Sequence, residues 1–375
     1  MTKPKAIYLI QEKGCLNSFS GAFQHITMGV KELSKYFDIE LQLNDKKIIL
    51  KAYTKKTDKV LKTKKRGSVY GTIKDVFILL KNLLKVRGLV KQFKKKKPHF
   101  IYERVSYLDF SGLIASKVCS IPHFYEANGL QFKTRETYYK SMFYQFAKSL
   151  ERLALKKSTY SFFVGSYGDY WKIKKSNWSN VENGIEAKMI QDVKNLNKID
   201  DGILHLCFIG RYAKHQKVEL LIEAISQIKQ KDKMHIHLIG SGLENMSKEI
   251  LANDVMVTNH GFLNRSEIMK ITQKCHIGLI CGTPPYQSCM KLYDYAISGC
   301  AVLSPMVHNL KFWFDNCLIY FDGTSEGLAI ELENCLQNFD KVTVKSKLLN
   351  SLVINNFTWE MIFAKKVAII KKACK

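Results

Sequence analysis

Short apolar runs alternate with amphipathic stretches along almost the whole chain. The runs at residues 6–10, 99–104 and 205–209 have the length of strands, and the segments that follow them carry hydrophobic residues at helical spacing. Strands that alternate with helices predict parallel sheets with crossover connections. Because the alternation occurs in both halves, we expect an α/β protein with two doubly wound domains that face a cleft.

A polar stretch separates the two halves. The chain has 375 residues, which is long for one hydrophobic core and sufficient for two. Residues 187–202 are rich in Asn and Asp and predict a linker. We therefore expect an N-terminal domain at residues 1–186 and a second domain at residues 203–355. A last helix is predicted within residues 356–375, with Thr358 as its N-cap.

The segment from residue 276 to residue 305 predicts a strand, a loop and a short helix. The apolar run 276–281 leads into a loop with two prolines, and a helical pattern begins near Ser288. The first amides of such a helix lack partners within the helix, so they favour an anion such as phosphate. The alternative is an ordinary crossover turn in which Asp294 only complements the helix dipole.

The formal net charge is +26, and nearly all of the excess lies in the first 200 residues. A field of this sign favours an anionic partner: a membrane surface, a nucleic acid or a phosphorylated substrate. A genome that favours lysine is the alternative explanation. No DNA-binding or RNA-binding module accompanies the charge, which disfavours nucleic acid as the partner.

Hydropathy and cysteine usage bear on the compartment. No segment reaches 18 apolar residues, and the run at residues 6–10 is too short for a signal peptide. The ten cysteines form no C-x-x-C pair, so we expect reduced thiols and no structural zinc. These features predict a cytoplasmic protein, either free or peripheral on the inner face of the plasma membrane.

The most basic segment, residues 46–97, includes a long helical pattern. Lys74, Lys81 and Lys85 are predicted to form its charged face. Its apolar face is predicted at Val76, Leu79, Leu80, Leu83, Val86 and Val90. One interpretation is a crossover helix packed on a sheet, and the other is a membrane-surface role for the lysines at residues 94–97.

Three motifs in the second half resemble those of the retaining glycosyltransferases of family 4, which have the GT-B fold of two Rossmann-like domains. The run from Ser288 to Val302 is similar to the family signature, residues 210–217 to its "G-R-x-x-x-x-K-G" turn, and Gly240-Ser-Gly242 to its "G-x-G". The resemblance implies that Arg211 and Lys217 hold the diphosphate that leaves during catalysis and that Asp294 binds the ribose. It also implies donor contacts from Gly240 and Gly242 and from the backbone of Ser288, Cys289, Met290, Lys291 and Leu292.

The motifs depart from the family pattern at three positions. Gln216 stands at the usual lysine, and Tyr286 replaces the usual sugar-binding acid, eight positions before Asp294. Asp294 itself is one methylene shorter than the usual glutamate. Because the chain has no D-x-D sequence, we expect no metal and no cofactor, and fixed cations must neutralise the leaving diphosphate.

The first half resembles the acceptor side of bacterial members of the family at its strand ends. Tyr102-Glu103-Arg104 and Glu126-Ala-Asn128 match a recurring "YER" and "E-x-N", and Gly21 stands at the family's glycine pair. Asn128 replaces a histidine found in many relatives, and an amide cannot take a proton, so Glu126 becomes the candidate catalytic base. The alternative is that Glu126 is structural and pairs with Arg104. The family's last helix also crosses back onto the first domain.

These expectations combine into one function with two alternatives. The resemblance implies a hexosyltransferase-type enzyme that moves a sugar from a nucleotide diphosphate sugar to a lipid-linked or glycan acceptor, with retention. The role implied is bacterial surface polysaccharide synthesis, such as capsule, O-antigen or exopolysaccharide. The loss of the sugar-binding acid leaves a non-catalytic GT-B partner of a glycan synthase as an alternative, and a basic nucleic-acid-binding protein is a third.

Overall fold

The computed structural model describes residues 2–17, 20–50, 68–133, 141–173, 176–191 and 198–374. The chain divides into two compact units, one formed by Met1–Glu182 with Trp359–Lys375 and the other by Asn183–Thr358. The sequence predicts the end of the N-terminal domain at residue 186, four residues after the end observed at Glu182. The expected linker belongs to the second unit, and its residues 192–197 lie outside the described part of the chain.

The first unit is built on a seven-stranded sheet in the order β3-β2-β1-β4-β5-β6-β7, parallel except for the pairing of β2 with β3. Its central strands are buried on both faces, which is the pattern of a parallel sheet covered on both sides. The strands are β1 Lys5–Ile10, β2 Asp38–Leu43, β3 Lys46–Lys47, β4 Phe100–Arg104, β5 His123–Ala127, β6 Tyr160–Val164 and β7 Trp178–Val181.

Helices join these strands, and the last helix of the chain packs on the same unit. Helix α14 lies against α1, where a Cβ on Gly29 would come within 3.1 Å of Phe363 and of Tyr8. Trp359 at the start of α14 is fully buried. The helices of this unit are α1 Gly21–Leu33, α2 Ser68–Lys96, α3 Ser111–Val118, α4 Tyr144–Lys157, α5 Tyr167–Trp171 and α14 Trp359–Ala373.

The second unit is built on a six-stranded parallel sheet in the order β10-β9-β8-β11-β12-β13. Leu206 and Phe208 of β8 face the same core as Val218 and Leu221 of the following helix. The strands are β8 Leu204–Ile209, β9 Met234–Ile239, β10 Met256–Asn259, β11 Ile277–Leu279, β12 Ala301–Pro305 and β13 Ile319–Phe321. The helices are α6 Ala187–Gln191, α7 Val218–Gln227, α8 Glu244–Leu251, α9 Arg265–Thr272, α10 Met290–Ile297, α11 His308–Phe314, α12 Ser325–Gln337 and α13 Phe339–Asn356.

The predicted apolar face of α2 is only half correct. Val86 and Val90 pack against the first unit's core, but Val76, Leu80 and Leu83 are exposed to solvent. The buried side of this half instead carries polar groups: Asp75 accepts a hydrogen bond from the Tyr107 hydroxyl at 2.8 Å, Asn82 donates to the Leu108 carbonyl at 3.0 Å, and Lys85 lies 2.6 Å from Asp109. The loop before α3 needs these polar partners, so the helix turns its apolar residues outwards.

Two further observations bear on the expected compartment and redox state. Among the described helices, none combines the length and the hydropathy that a bilayer crossing requires. The ten cysteines are free thiols, as the sequence analysis expected. Residues 51–67 of the basic segment lie outside the described part of the chain.

Candidate active site

Three loops of the second unit meet because the carboxyl ends of β9, β8 and β11 are adjacent. Gly240 follows β9 with φ 146°, and a Cβ there would lie 1.5 Å from the carbonyl oxygen of Gly210, which follows β8. The Gly240 amide donates to the Gly261 carbonyl at 2.8 Å. Gly242 has φ 74° and open space around its Cα. The predicted "G-x-G" therefore allows close approach of two backbone segments and leaves an open surface beside them.

The predicted diphosphate residues and the loop after β11 come together in this unit. Lys217 has a left-handed φ of 47° immediately before α7. A Cβ on Gly282 would lie 2.8 Å from the His215 carbonyl oxygen and 2.8 Å from Cγ of Lys217. Arg211 lies exposed in the same loop. The structure thus packs Lys217 and His215 against the loop that precedes α10, and Arg211 lies in the same segment, close enough to affect His215.

A third cation reaches this loop from α10. Lys291 Nζ donates to Oε1 of Gln216 at 2.5 Å and lies 4.5 Å from the centre of the Phe208 ring. Burial lowers the pKa of Lys291, and burial with the nearby charges of Arg211 and Lys291 lowers the pKa of His215. Lys291 therefore supplies an ammonium group beside Gln216, the position where the family pattern expects lysine.

No described carboxylate neutralises this group of cations. In the part of the chain that the structure describes, no ion pair involves Arg211, Lys217 or Lys291. Cations without a neighbouring carboxylate create a positive local potential, which favours the binding of an anion.

The N-terminus of α10 adds backbone donors to the same place. Its N-cap, Cys289, makes no side-chain cap hydrogen bond, and the first turn contains no acidic residue. Ser288 before it is buried, and its Oγ accepts a hydrogen bond from Asn183 Nδ2 at 2.8 Å. Sequence reasoning missed Asn183 as an anchor of this loop because Asn-Gly is a common turn dipeptide. The Leu292 amide donates to the Cys289 carbonyl at 3.1 Å, so the amides of residues 290 and 291 are the ones suited to binding an anion.

A buried tyrosine fixes the position of α10. Tyr295 Oη accepts from the Ile209 amide at 2.8 Å and donates to the Leu279 carbonyl at 3.2 Å, so it links the ends of β8 and β11. A Cβ on Gly278 would lie 2.2 Å from the Tyr295 ring, so only glycine fits there. Tyr295 therefore acts as a positioning residue for the loops around Arg211 and Lys291, and its sequence context gave no signal of this role.

Asp294, the predicted ribose ligand, is paired with an arginine. Its Oδ1 lies 2.7 Å from Nη2 and 3.2 Å from Nε of Arg265. Burial raises the pKa of Asp294, and the Arg265 guanidinium opposes that shift. Arg265 begins α9, where Asn264 and Glu267 form a capping box. Both contacts use Oδ1.

Tyr286, which stands at the usual sugar-binding acid, makes an aromatic contact. Its ring centroid lies 4.9 Å from that of His308. The amide of Asn309 donates to the Pro285 carbonyl at 2.7 Å, so the start of α11 holds this loop. Aromatic and backbone contacts therefore hold this loop, and an aromatic ring occupies the position of the usual sugar-binding acid.

In the first unit, Glu126 is the centre of a buried network. Its carboxylate accepts from Tyr102, from Asn128 at 3.1 Å and from Lys366 at 3.0 Å, and the Tyr102 contact is short. Nδ1 of His25 lies 2.9 Å from it. Arg104 donates to it more weakly, at 3.4 Å. Lys366 comes from α14 and is fully buried, so the last helix supplies the main cation of the network.

This setting contradicts the expectation that Glu126 is a catalytic base. Burial favours the neutral acid, but His25, Lys366 and Arg104 together hold the pKa of Glu126 well below its usual range. The side chain is also fully buried. A carboxylate with such a low pKa and no exposed surface is poorly suited to taking a proton from a substrate. The alternative, a structural carboxylate, fits the geometry, with Lys366 closer to it than Arg104.

The other predicted acceptor-side residues do not form one group. Glu103 points to the opposite face of the sheet from Arg104, as strand alternation requires, and it is fully buried between His123 at 2.7 Å and Gln11 at 2.8 Å. The expectation of Glu103 on an acceptor surface is therefore wrong. Arg104 and Asn128 lie together at Glu126.

Gly21 is the first residue of α1. Ser20 is its N-cap and accepts from the Phe23 amide at 3.1 Å. Gly21 therefore lies at an ordinary capped helix start. Ser18 and Phe19, shortly before it, lie outside the described residues.

A family model matches a large part of the second unit. Residues 204–338 match the family model described as Glycosyl transferases group 1. A search of curated proteins finds no match. HepE from Anabaena, solved with UDP, superposes with a TM-score of 0.70 at 12% identity over 98% of this chain and 100% of its own.

Two further solved structures superpose over nearly the whole chain. A glycosyltransferase from Rickettsia africae gives a TM-score of 0.68 at 14% identity, over 99% of both chains. Sucrose-phosphate synthase from Thermosynechococcus elongatus gives 0.69 at 14% identity, over 98% of both chains. The chain therefore has the GT-B fold, and its residues 204–338 match the model of the group 1 glycosyltransferases.

Proposed function

We propose that the protein transfers a glycosyl group, with retention, from a nucleotide diphosphate sugar to a lipid-linked or glycan acceptor in surface polysaccharide synthesis. The observation that carries the proposal is that Lys291, at the N-terminus of α10, contacts the loop that bears Arg211 and Lys217. Three cations and a set of amides without a carboxylate are complementary to a diphosphate. The group 1 domain match supports the same conclusion.

Each of these residues has its own role in stabilising the diphosphate that leaves. Arg211 offers a planar fork for two phosphate oxygens, and Lys217 and Lys291 offer point charges. Amides of residues 290 and 291 add donors along the helix dipole. Such fixed groups stabilise the charge that develops on the leaving diphosphate without rearrangement, so we propose that transfer needs no metal. Asp294 Oδ2 would accept from a ribose hydroxyl while Arg265 holds Oδ1.

Uridine diphosphate sugars are the first donors to test. HepE was solved with UDP and with UDP-glucose. At 12–14% identity this similarity concerns the fold, so the donor is a proposal for this chain. Tyr286 leaves the sugar without the usual acid, and contacts to the sugar would come from backbone of the loop before α10.

The proposed acceptor resides at an anionic membrane surface, which the first unit contacts through α2. Along its first half this helix exposes Ile73, Phe77, Leu80 and Leu84, with Leu84 80% exposed. Its last turn carries three lysines, Lys94, Lys95 and Lys96. An amphipathic helix that exposes apolar residues beside a basic cluster matches the interface of an anionic leaflet.

A donor and acceptor screen tests the function. Purified protein is screened by thermal shift against UDP, GDP, ADP and their sugars, and the stabilising sugar is then supplied with a membrane-lipid extract. We expect stabilisation by one nucleotide class and transfer of labelled sugar to lipid. Stabilisation without transfer to any extract would support the non-catalytic GT-B partner, and stabilisation by no nucleotide would overturn the proposal.

A further inference from the structure

Five of the ten histidines lie in one cluster on the sheet of the second unit. His205 of β8 pairs in register with His235 of β9, and His237 lies two residues further along β9. His260 and His276 flank them. The ring centroids of His235 and His237 are 4.3 Å apart, and those of His205 and His237 are 5.3 Å apart. The proposed transfer reaction uses none of these side chains.

The cluster is separate from the diphosphate residues. His205 and His235 are each the second residue of their strands, whereas Gly210 and Gly240 follow the other ends of the same strands. Five residues of extended chain, from His205 to Gly210, correspond to about 16 Å, and the three residues from His237 to Gly240 correspond to about 10 Å. A ligand of the cluster would therefore not contact Arg211 or Lys217 directly.

Three of the rings are close enough to share one ion. One nitrogen from each of His205, His235 and His237 lies within 4.8 Å of the others. Nδ1 of His205 is already 3.0 Å from Nε2 of His237. A tetrahedral zinc ion with bonds of about 2.0–2.1 Å needs its nitrogen ligands roughly 3.4 Å apart, which small side-chain rotations can reach. His205 and His237 are buried and His235 is half-buried, so a path to solvent exists.

The second nitrogen of each ring has its own partner. Nε2 of His205 lies 3.2 Å from Asp201 Oδ2, and Nε2 of His235 lies 2.8 Å from Thr258 Oγ1. Nδ1 of His237 lies 3.1 Å from Nε2 of His260. Metal-binding histidines commonly have this arrangement, in which an outer carboxylate, hydroxyl or imidazole fixes the tautomer and the ring orientation.

We propose that His205, His235 and His237 bind one divalent transition-metal ion of the zinc type, through Nδ1 of His205, Nδ1 of His235 and Nε2 of His237. Water fills the fourth position. Imidazole nitrogen favours zinc, cobalt, nickel and copper over magnesium, which prefers oxygen. The ion links β8 to β9 and stabilises the second unit.

This proposal departs from the expectation of no metal. That expectation rested on the lack of a D-x-D clamp at the diphosphate and on cysteine spacing. The three ligands lie 2 to 32 positions apart in sequence on two strands, without a recognised spacing. Only the register of β8 with β9 brings them together.

The test uses chelator-treated protein without a histidine tag. Co²⁺ is titrated while visible d–d absorption is recorded, and Zn²⁺ is then added to displace it. We expect one Co²⁺ per chain with the spectrum of a site that includes nitrogen ligands and no thiolate-to-cobalt band. Saturating Zn²⁺ should raise the Tm by about 5 °C or more, and Mg²⁺ should not. The absence of Co²⁺ absorption would overturn the proposal.

Variants assign the site to these residues. His235→Gln is chosen first because the side chain is half-buried, and His237→Gln follows; each should abolish the cobalt spectrum and the Zn²⁺-dependent rise in Tm. His99→Gln, at an exposed histidine of the first unit, is the matched control and should change neither. Circular dichroism and UDP binding report whether each variant is folded. A cobalt spectrum that persists in folded His235→Gln would refute the assignment, whatever the outcome for glycosyl transfer.

Discussion

The buried contact between Lys366 and Glu126 allows a quantitative prediction. Nζ of Lys366 lies 3.0 Å from Oε2 of Glu126 and 3.1 Å from the Tyr102 hydroxyl, and both charged side chains are fully buried. Lys366→Met keeps the apolar stem and removes the charge. Removing one partner of a buried pair typically costs about 3–5 kcal/mol. Because Arg104 and His25 remain beside Glu126, we expect the lower end, about 3 kcal/mol.

The assay is urea unfolding at pH 7, followed by circular dichroism. Lys365→Met is the matched control because the neighbouring lysine on the same helix is exposed, and it should change the unfolding free energy by less than about 0.5 kcal/mol. Glu126→Gln should destabilise at least as much as Lys366→Met, since it leaves Lys366 without a carboxylate. The double variant should be more stable than the sum of the two changes implies, because the cost comes from the unpaired charge.

Two results would refute this reasoning. The first is a Lys366→Met variant as stable as Lys365→Met. The second is a Glu126→Gln variant with wild-type stability and a turnover lowered by two decades or more, which would restore Glu126 as a base. The pH dependence adds a check, because the folded-state pKa of Glu126 lies well below its unfolded value. Its contribution to stability is present above pH about 4.3 and is lost as the pH falls through the folded-state pKa.

Three further predictions concern other parts of the molecule. Arg211→Ala should lower kcat/KM for the donor by about 10- to 100-fold, since it removes a charge-assisted contact of roughly 1.5–3 kcal/mol to the leaving phosphate. A UDP-release assay measures this, with Lys233→Ala at an exposed lysine as the control, and an unchanged value for Arg211→Ala would exclude the role. The double change Leu80→Ser and Leu84→Ser should reduce flotation with phosphatidylglycerol vesicles, whereas Ile330→Ser, at a residue 58% exposed in the second unit, should not; equal flotation of all variants would contradict the membrane proposal. Burial raises the pKa of Glu151 to about 8, so the folded protein should lose stability as the pH rises from about 4.3 to 8. Glu151→Gln should abolish that loss in unfolding curves measured across this range. If the stability of the variant depends on pH as steeply as that of the wild type, another group is responsible.

The sequence predicted the fold and the loops of the second unit from local patterns. Strands that alternate with helices are visible in hydropathy, and residues 210–217 and 282–292 are contiguous, so their chemistry can be recognised along the chain. Lys291 was expected as a backbone contact, and its ammonium group beside Gln216 was not foreseen. That contact depends on the geometry that Tyr295 imposes on α10.

Groups assembled from distant segments could not be predicted. Glu126 collects partners from residues 25, 102 and 366, and the histidine cluster draws on β8 and β9. The predicted apolar face of helix α2 was only half correct for a different reason. Its first half carries apolar residues on most of its circumference, so periodicity alone could not show that Asp75 and Asn82 would be the buried side. Their burial follows from polar partners in the loop at residues 105–110.

Diphosphate recognition by the second unit is the central claim, and comparative calorimetry tests it most directly. UDP, UMP and uridine are titrated into the wild-type protein and into Lys291→Met at fixed ionic strength. We predict that UDP binds at least ten times more tightly than UMP, that uridine binds most weakly, and that Lys291→Met reduces the advantage of UDP over UMP. Equal affinities for UDP and uridine in the wild-type protein would contradict the account.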